Sequence, residues 1–147
     1  MKLTRRTFLQ SAATLAGGAA AGLLVSSGIR KYGPVDIRTY FLSNDPIVIK
    51  GSLFADERND VFGIRAFDER GRQMALVEMP LHDIKKIVDM RSPNSKVIVL
   101  IVGEDGKKDS GILAVTVEHG NLTFYMNEEG QKPSPVWLRL SDVQRVL

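Results

Sequence analysis

From Val35 to the C-terminus, apolar and polar residues alternate with a period of two, and β-branched and aromatic residues fill many of the apolar positions. Alternation of this kind buries one face of an extended chain and wets the other, so it specifies half-buried strands and conflicts with the 3.6-residue period of a helix. Val35, Ile37, Thr39 and Phe41 share one side of the first such strand, and Asp36, Arg38 and Tyr40 share the other. Asn44-Asp45-Pro46 interrupts that run, and Ile47 to Phe54 resumes it. Asp56-Glu57-Arg58-Asn59-Asp60 then forms a polar turn before Val61, and Glu69-Arg70-Gly71 reverses the chain again. The run Val97 to Val102 is apolar on both faces, which predicts a central strand covered on both sides. The fold class that follows is all-β, a small barrel or sandwich.

Two short segments switch to helical spacing. In Leu81-His82-Asp83-Ile84-Lys85-Lys86-Ile87-Val88 the apolar residues recur at i, i+3, i+6 and i+7, with Asp83 placed to cap the first turn. Leu140-Ser141-Asp142-Val143-Gln144-Arg145-Val146-Leu147 repeats this arrangement position by position. The recurrence predicts internal duplication, with copies at 45–90 and 95–147, each reading strand, strand, strand, short helix. Ile47-Val48-Ile49 then matches Val97-Ile98-Val99, and the core-facing Ile64 and Ala66 match Val115 and Val117. The second copy is longer by an insertion, Asn127 to Pro135, before its last strand. A strand followed by Leu-x-Asp-Ile-x-x-Ile resembles the end of many small SH3-like barrels. The resemblance implies a final helical turn that plugs one end of a barrel. An eight-stranded sandwich built by duplication is the competing arrangement.

Residues 1–27 are of another kind. Lys2, Arg5 and Arg6 are basic, Phe8 to Val25 carries no charge, and Ser26-Ser27-Gly28 is small, which is the three-part layout of an export leader. Within it, Thr4-Arg5-Arg6-Thr7-Phe8-Leu9-Gln10 resembles the twin-arginine (Tat) signal, with Arg5, Arg6, Phe8 and Leu9 carrying the resemblance. It implies a cargo folded before export by the Tat translocon, and a periplasmic location or one at the outer face of the cytoplasmic membrane. Residues 1–27 thus read as a signal or membrane anchor and residues 28–147 as the mature β domain, with cleavage expected after Ser27. Left uncleaved, eighteen helical residues would span about 27 Å against a hydrocarbon core of about 30 Å, a marginal membrane contact.

The basic balance of the chain, 20 Lys and Arg against 17 Asp and Glu, lies entirely in the leader. Removing Lys2, Arg5 and Arg6 from the 20 leaves 17 basic and 17 acidic residues, so no nucleic-acid partner is expected. The sequence has no cysteine, which excludes Cys-ligated iron–sulfur clusters and haem attachment through C-x-x-C-H. His82 and His119 stand outside any metal-ligand or triad spacing, and the turns Asp56–Asp60 and Glu104–Asp109 lack the alternating oxygen-ligand pattern of a calcium loop. Both histidines read as surface or capping residues. No catalytic, metal or cofactor site is expected.

Trp137, Tyr125, Phe124 and Tyr40 are candidate surface aromatics. Trp137 and Arg139 share one face of the last strand while Val136, Leu138 and Leu140 share the other, and exposed Trp with Arg is a typical interface anchor. The function that best fits is a non-enzymatic protein-binding module, an accessory or assembly subunit serving an unidentified periplasmic or membrane protein. A small-ligand-binding β protein and a hydrolase whose residues meet only in the fold are the alternatives.

Overall fold

The structure is a computed structural model and describes residues 28–40, 46–91, 95–128 and 131–147. Eight antiparallel strands follow one another around a closed barrel. They are β1 (Ile29–Tyr40), β2 (Pro46–Asp56), β3 (Val61–Phe67), β4 (Gln73–Pro80), β5 (Ser95–Gly103), β6 (Lys108–Glu118), β7 (Asn121–Glu128) and β8 (Gln131–Arg139). Helix α1 (Leu81–Met90) follows β4, and α2 (Leu140–Val146) follows β8. The described residues are therefore all-β with two short helices, and the barrel is the arrangement they adopt, not the sandwich. The architecture is compatible with the SH3-like resemblance of its strand-to-helix junctions.

Closure depends on β1 meeting β8 through Arg38↔Trp137 and Thr39↔Val136. Thr39 is fully buried there, and its hydroxyl donates to the Pro135 carbonyl at 3.0 Å. At this seam the closed sheet pairs backbone groups that an open sheet would leave bare.

Alternate residues of every strand point inward, as the period-two pattern requires. Val35 and Ile37, Phe62 and Ile64, Val97 and Val99, and Val136 and Leu138 are each at most 5% exposed and belong to one continuous core. The interior is a packed core and not a lumen. Gly51 shows how tightly it is filled: a Cβ there would lie 2.5 Å from the Arg65 carbonyl oxygen and 2.6 Å from Ile37 Cδ1.

Each half of the chain comprises four strands and a helix. Ile64 and Ala66 stand on β3, the second strand within 45–90, and Val115 and Val117 stand on β6, the second within 95–147, but two further strands follow β6 where one follows β3. Residues 127–135 lie in the region of that extra strand. They are not an insertion before the last strand, because β7 and β8 continue through them as a hairpin that reaches Glu128↔Gln131, with an irregularity between Met126 and Glu128. The polar Asn-Glu-Glu-Gly stretch and two prolines hide that continuation from a pattern based on apolar alternation.

Neighbouring strands are antiparallel, so all even-numbered strands run the same way. The helices that follow β4 and β8 consequently stand at one rim, together with the β2–β3 and β6–β7 turns. Leu81, Ile84, Ile87 and Val88 of α1 and Leu140, Val143 and Val146 of α2 are buried against the core and cover that end. The two helix starts are tied in the same manner. Leu81 N–H donates to the Asp60 carbonyl at 3.0 Å, and Leu140 N–H donates to the Gly120 carbonyl at 2.9 Å.

Asp83 does not cap α1. The helix begins after Pro80 with no side-chain cap of its own, and the orphan amides are met from the β2–β3 turn instead. There Asp60 takes up a left-handed conformation (φ 55), and its Oδ1 accepts from the His82 N–H at 2.9 Å. A cap 22 positions away in sequence cannot be read from local spacing.

Candidate interaction surface

The outward residues are ordered by strand register. Leu76 faces Val102 across β4–β5, Glu78 faces Leu100, and Ile98 faces Ile112 across β5–β6. Ile98 is 64% exposed and Ile112 62% exposed, whereas Val97, Val99 and Ile101 on the inner side of β5 are at most 1% exposed. This corrects the expectation that Val97 to Val102 is covered on both sides. A barrel has only one interior, and both described helices go to the rim instead of the outer wall, so on the second face of β5 Ile98 is open and Leu100 and Val102 are only half-buried. Scattered surface apolar residues need no explanation. Ile98 and Ile112, however, stand side by side across two strands, with the half-buried Leu100, Val102, Leu76 and Ala114 on the same outer side, and adjoining exposed apolar residues are candidates for a contact surface.

Along the outer side of β6, Ile112, Ala114 and Thr116 succeed one another. Thr116 faces Thr123, and Thr123 faces Trp137. The apolar stripe thereby leads to Trp137, which is half-buried and lies beside Arg38 at the barrel-closing seam. Thr116 and Thr123 are only 7% and 3% exposed although they point outward. Arg139, exposed, shares this outer side one step further along β8. Trp137 and Arg139 therefore do occupy one face, with Val136 and Leu138 on the other. Phe124, in contrast, is an inward core residue at 2% exposure and takes no part in the surface. Tyr125 points outward and donates its hydroxyl proton to Glu118. That hydrogen bond, followed by partial burial, pushes the phenol up to about 12.

The helix-covered rim carries a cluster of charged pairs. Glu57 accepts from both Arg30, at 2.7 Å, and Lys85, and Asp56 accepts from the Asn59 amide and side chain at 3.2 and 2.8 Å. The Asp56–Asp60 carboxylates are thus engaged by neighbouring donors. His82 lies between two acids, with Nδ1 against Asp60 and Nε2 at 3.2 Å from Asp83 Oδ1. The Asp60 hydrogen bond, then the Asp83 charge, raises the His82 pKa, and the His82 bond lowers that of Asp60. An imidazole with both nitrogens facing carboxylates favours the protonated ion-pair form over the neutral form needed of a general base. His119 is exposed in the β6–β7 turn at φ 52, and its carbonyl accepts from Asn121 Nδ2 at 3.3 Å.

Among the described residues, no group of three or more His, Asp or Glu side chains could hold a metal ion, and no helix is long and apolar enough to cross a membrane. The leader residues Arg5, Arg6, Phe8 and Leu9 lie outside the described residues. The chain matches no protein-family model, and no match was found among curated proteins or solved structures. Sequence reasoning passed over the exposure of Ile98 and Ile112. The signal that could have found them was the doubly apolar run itself, which on a barrel implies exposure of its second face.

Proposed function

We propose that this chain is an exported, non-enzymatic protein-binding module, an accessory or assembly subunit of a periplasmic or membrane-bound complex. The observation that carries the proposal is the pair Ile98 and Ile112 on the outer face of β5 and β6, which stand opposite each other at more than 60% exposure above a packed core. In this reading the partner covers that face and extends along β6 to Trp137 and Arg139, which supply the aromatic and cationic anchors at its margin. The twin-arginine resemblance of Arg5, Arg6, Phe8 and Leu9 supplies the address, with residues 1–27 as the leader. Duplication of the strand-and-short-helix unit read at 45–90 and 95–147 supplies the origin of the barrel in this reading. The matching ties from Leu81 to Asp60 and from Leu140 to Gly120 support it.

Native co-purification from gently solubilised membrane and periplasmic fractions tests the proposal. A stoichiometric partner is expected, and it should be lost with Ile98→Asp and weakened with Trp137→Ala. Recovery of the chain alone would overturn the reading. Undiminished capture by a folded Trp137→Ala protein would remove Trp137 from the contact.

A further inference from the structure

A second feature of the outer wall lies across β1–β3. The β1–β2 ladder shifts register between Tyr32 and Val35, so Gly33 and Pro34 leave the regular pairing. An outward concavity of about 470 Å³ opens at this bulge, lined by Lys31, Tyr32, Gly33, Ser52 and Arg65. Gly33 approaches the second strand so closely that a Cβ there would lie 2.7 Å from the Ser52 Cβ. Bulges often re-aim backbone and side chains at functional sites.

Several cations elsewhere on the barrel are neutralised by a neighbouring acid. Arg30 and Lys85 pair with Glu57, Lys50 with Asp36, and Arg72 with Asp68. Lys31 and Arg65, the two cations lining the concavity, have no carboxylate partner among the described residues. Arg65 is nonetheless fixed in place. Its Nη1 donates to Gln73 Oε1 at 2.8 Å, and its guanidinium stands 4.9 Å from the centroid of the Phe54 ring. Phe54 itself faces Lys31 across β1–β2, and Ser52 faces Arg65 across β2–β3, so the two cations flank one aromatic and one hydroxyl. The Ser52 hydroxyl makes no hydrogen bond to another described residue. A guanidinium oriented in advance by neutral groups keeps its full charge and its remaining N–H donors for a ligand.

We propose that this concavity is a binding site for a small oxyanion, a phosphate or carboxylate group, held by Lys31 and Arg65 with Ser52 donating a hydrogen bond. The site is separate from the apolar face of β5 and β6 and does not depend on the partner reading. The test is a titration of the 15N-labelled full chain in mild detergent with inorganic phosphate or with acetate, each compared with chloride at equal ionic strength. Saturable shifts of the Gly33 and Ser52 amides are expected. A response to phosphate alone assigns a tetrahedral anion, and a response to acetate alone assigns a planar carboxylate. Lys31→Gln and Arg65→Gln should each weaken binding about tenfold, the factor expected for one lost charge-assisted hydrogen bond. Lys107→Gln, whose lysine stands beside Asp105 in the β5–β6 turn, should leave it unchanged. Arg65 also packs on Phe54, whereas Lys31 is exposed, so Lys31→Gln tests the charge without disturbing the wall. Absence of saturable shifts with either anion, equal shifts with chloride, or equal weakening by Lys107→Gln would overturn the proposal.

Discussion

Gly63 and Phe54 form a steric lock on the outer wall whose strength can be worked from geometry. The two residues face each other across β2–β3, and the ring lies over the glycine so closely that an added Cβ would sit 2.0 Å from both Cε1 and Cζ. Phe54 is only 9% exposed although it points outward, with Arg65 stacked on it. Gly63→Ala must therefore push the ring off the wall. Losing the burial of a phenylalanine costs about 1.5–3 kcal/mol, and losing a surface cation–π contact a further 0.5–1 kcal/mol or so. Alanine in place of glycine in a strand returns about 0.5–1 kcal/mol. The expected result is a destabilisation of roughly 2 kcal/mol. In a Phe54→Ala background the obstacle is gone, and the same Gly63→Ala change should stabilise by about 0.5–1 kcal/mol. Urea unfolding followed by circular dichroism on the four proteins of the cycle measures both numbers, with m unchanged. Equal destabilisation by Gly63→Ala in both backgrounds would refute the argument, because the ring would then not be what the Cβ meets.

Thr39→Val removes the hydroxyl that bonds the Pro135 carbonyl at the closing seam, and it should cost about 0.5–1.5 kcal/mol in the same assay, the net worth of one such hydrogen bond. Ile98→Asp on the outer face of β5 should change stability by less than about 0.5 kcal/mol while abolishing partner capture, a separation read by combining melting and co-purification. The His82–Asp60 pair gives a pH signature. The raised His82 value adds stability below the ordinary histidine range, and that stability is lost as pH rises through the raised value. The lowered Asp60 value adds stability above the ordinary carboxylate range, lost as pH falls through the lowered value. The pair should contribute most between about pH 4 and 6.5, and His82→Gln should flatten the upper limb of a melting-temperature profile. Both side chains are well exposed, so added salt should shrink the effect.

Local pattern was sufficient wherever the deciding contact was local. Val35, Ile37 and Thr39 face inward and Asp36 and Arg38 outward as their alternation requires, and Leu81, Ile84, Ile87 and Val88 form a buried helical stripe. It failed where a distant group decided. Asp60 replaces Asp83 at the start of α1 because the β2–β3 turn folds back over 22 positions. Ile98 on the second face of β5 is exposed because topology, not hydrophobicity, determines how many layers cover a strand. The cationic concavity was invisible for a related reason: Lys31, Ser52 and Arg65 lie on three different strands, and only the bulge at Gly33 brings them to one hollow.

The seam between β1 and β8 also bears on how the barrel is assembled. Six of the eight strand pairs join neighbours through turns of at most five residues, whereas Arg38 and Trp137 meet across 99 positions. Hairpin contacts carry little chain-closure entropy, and the seam carries the most, so its formation is expected late in folding. Until it forms, β1 and β8 are open edges, each able to recruit the complementary strand of another molecule. A chain released before the seam closes would then be prone to strand exchange between copies, a hazard that transport in the folded state would avoid.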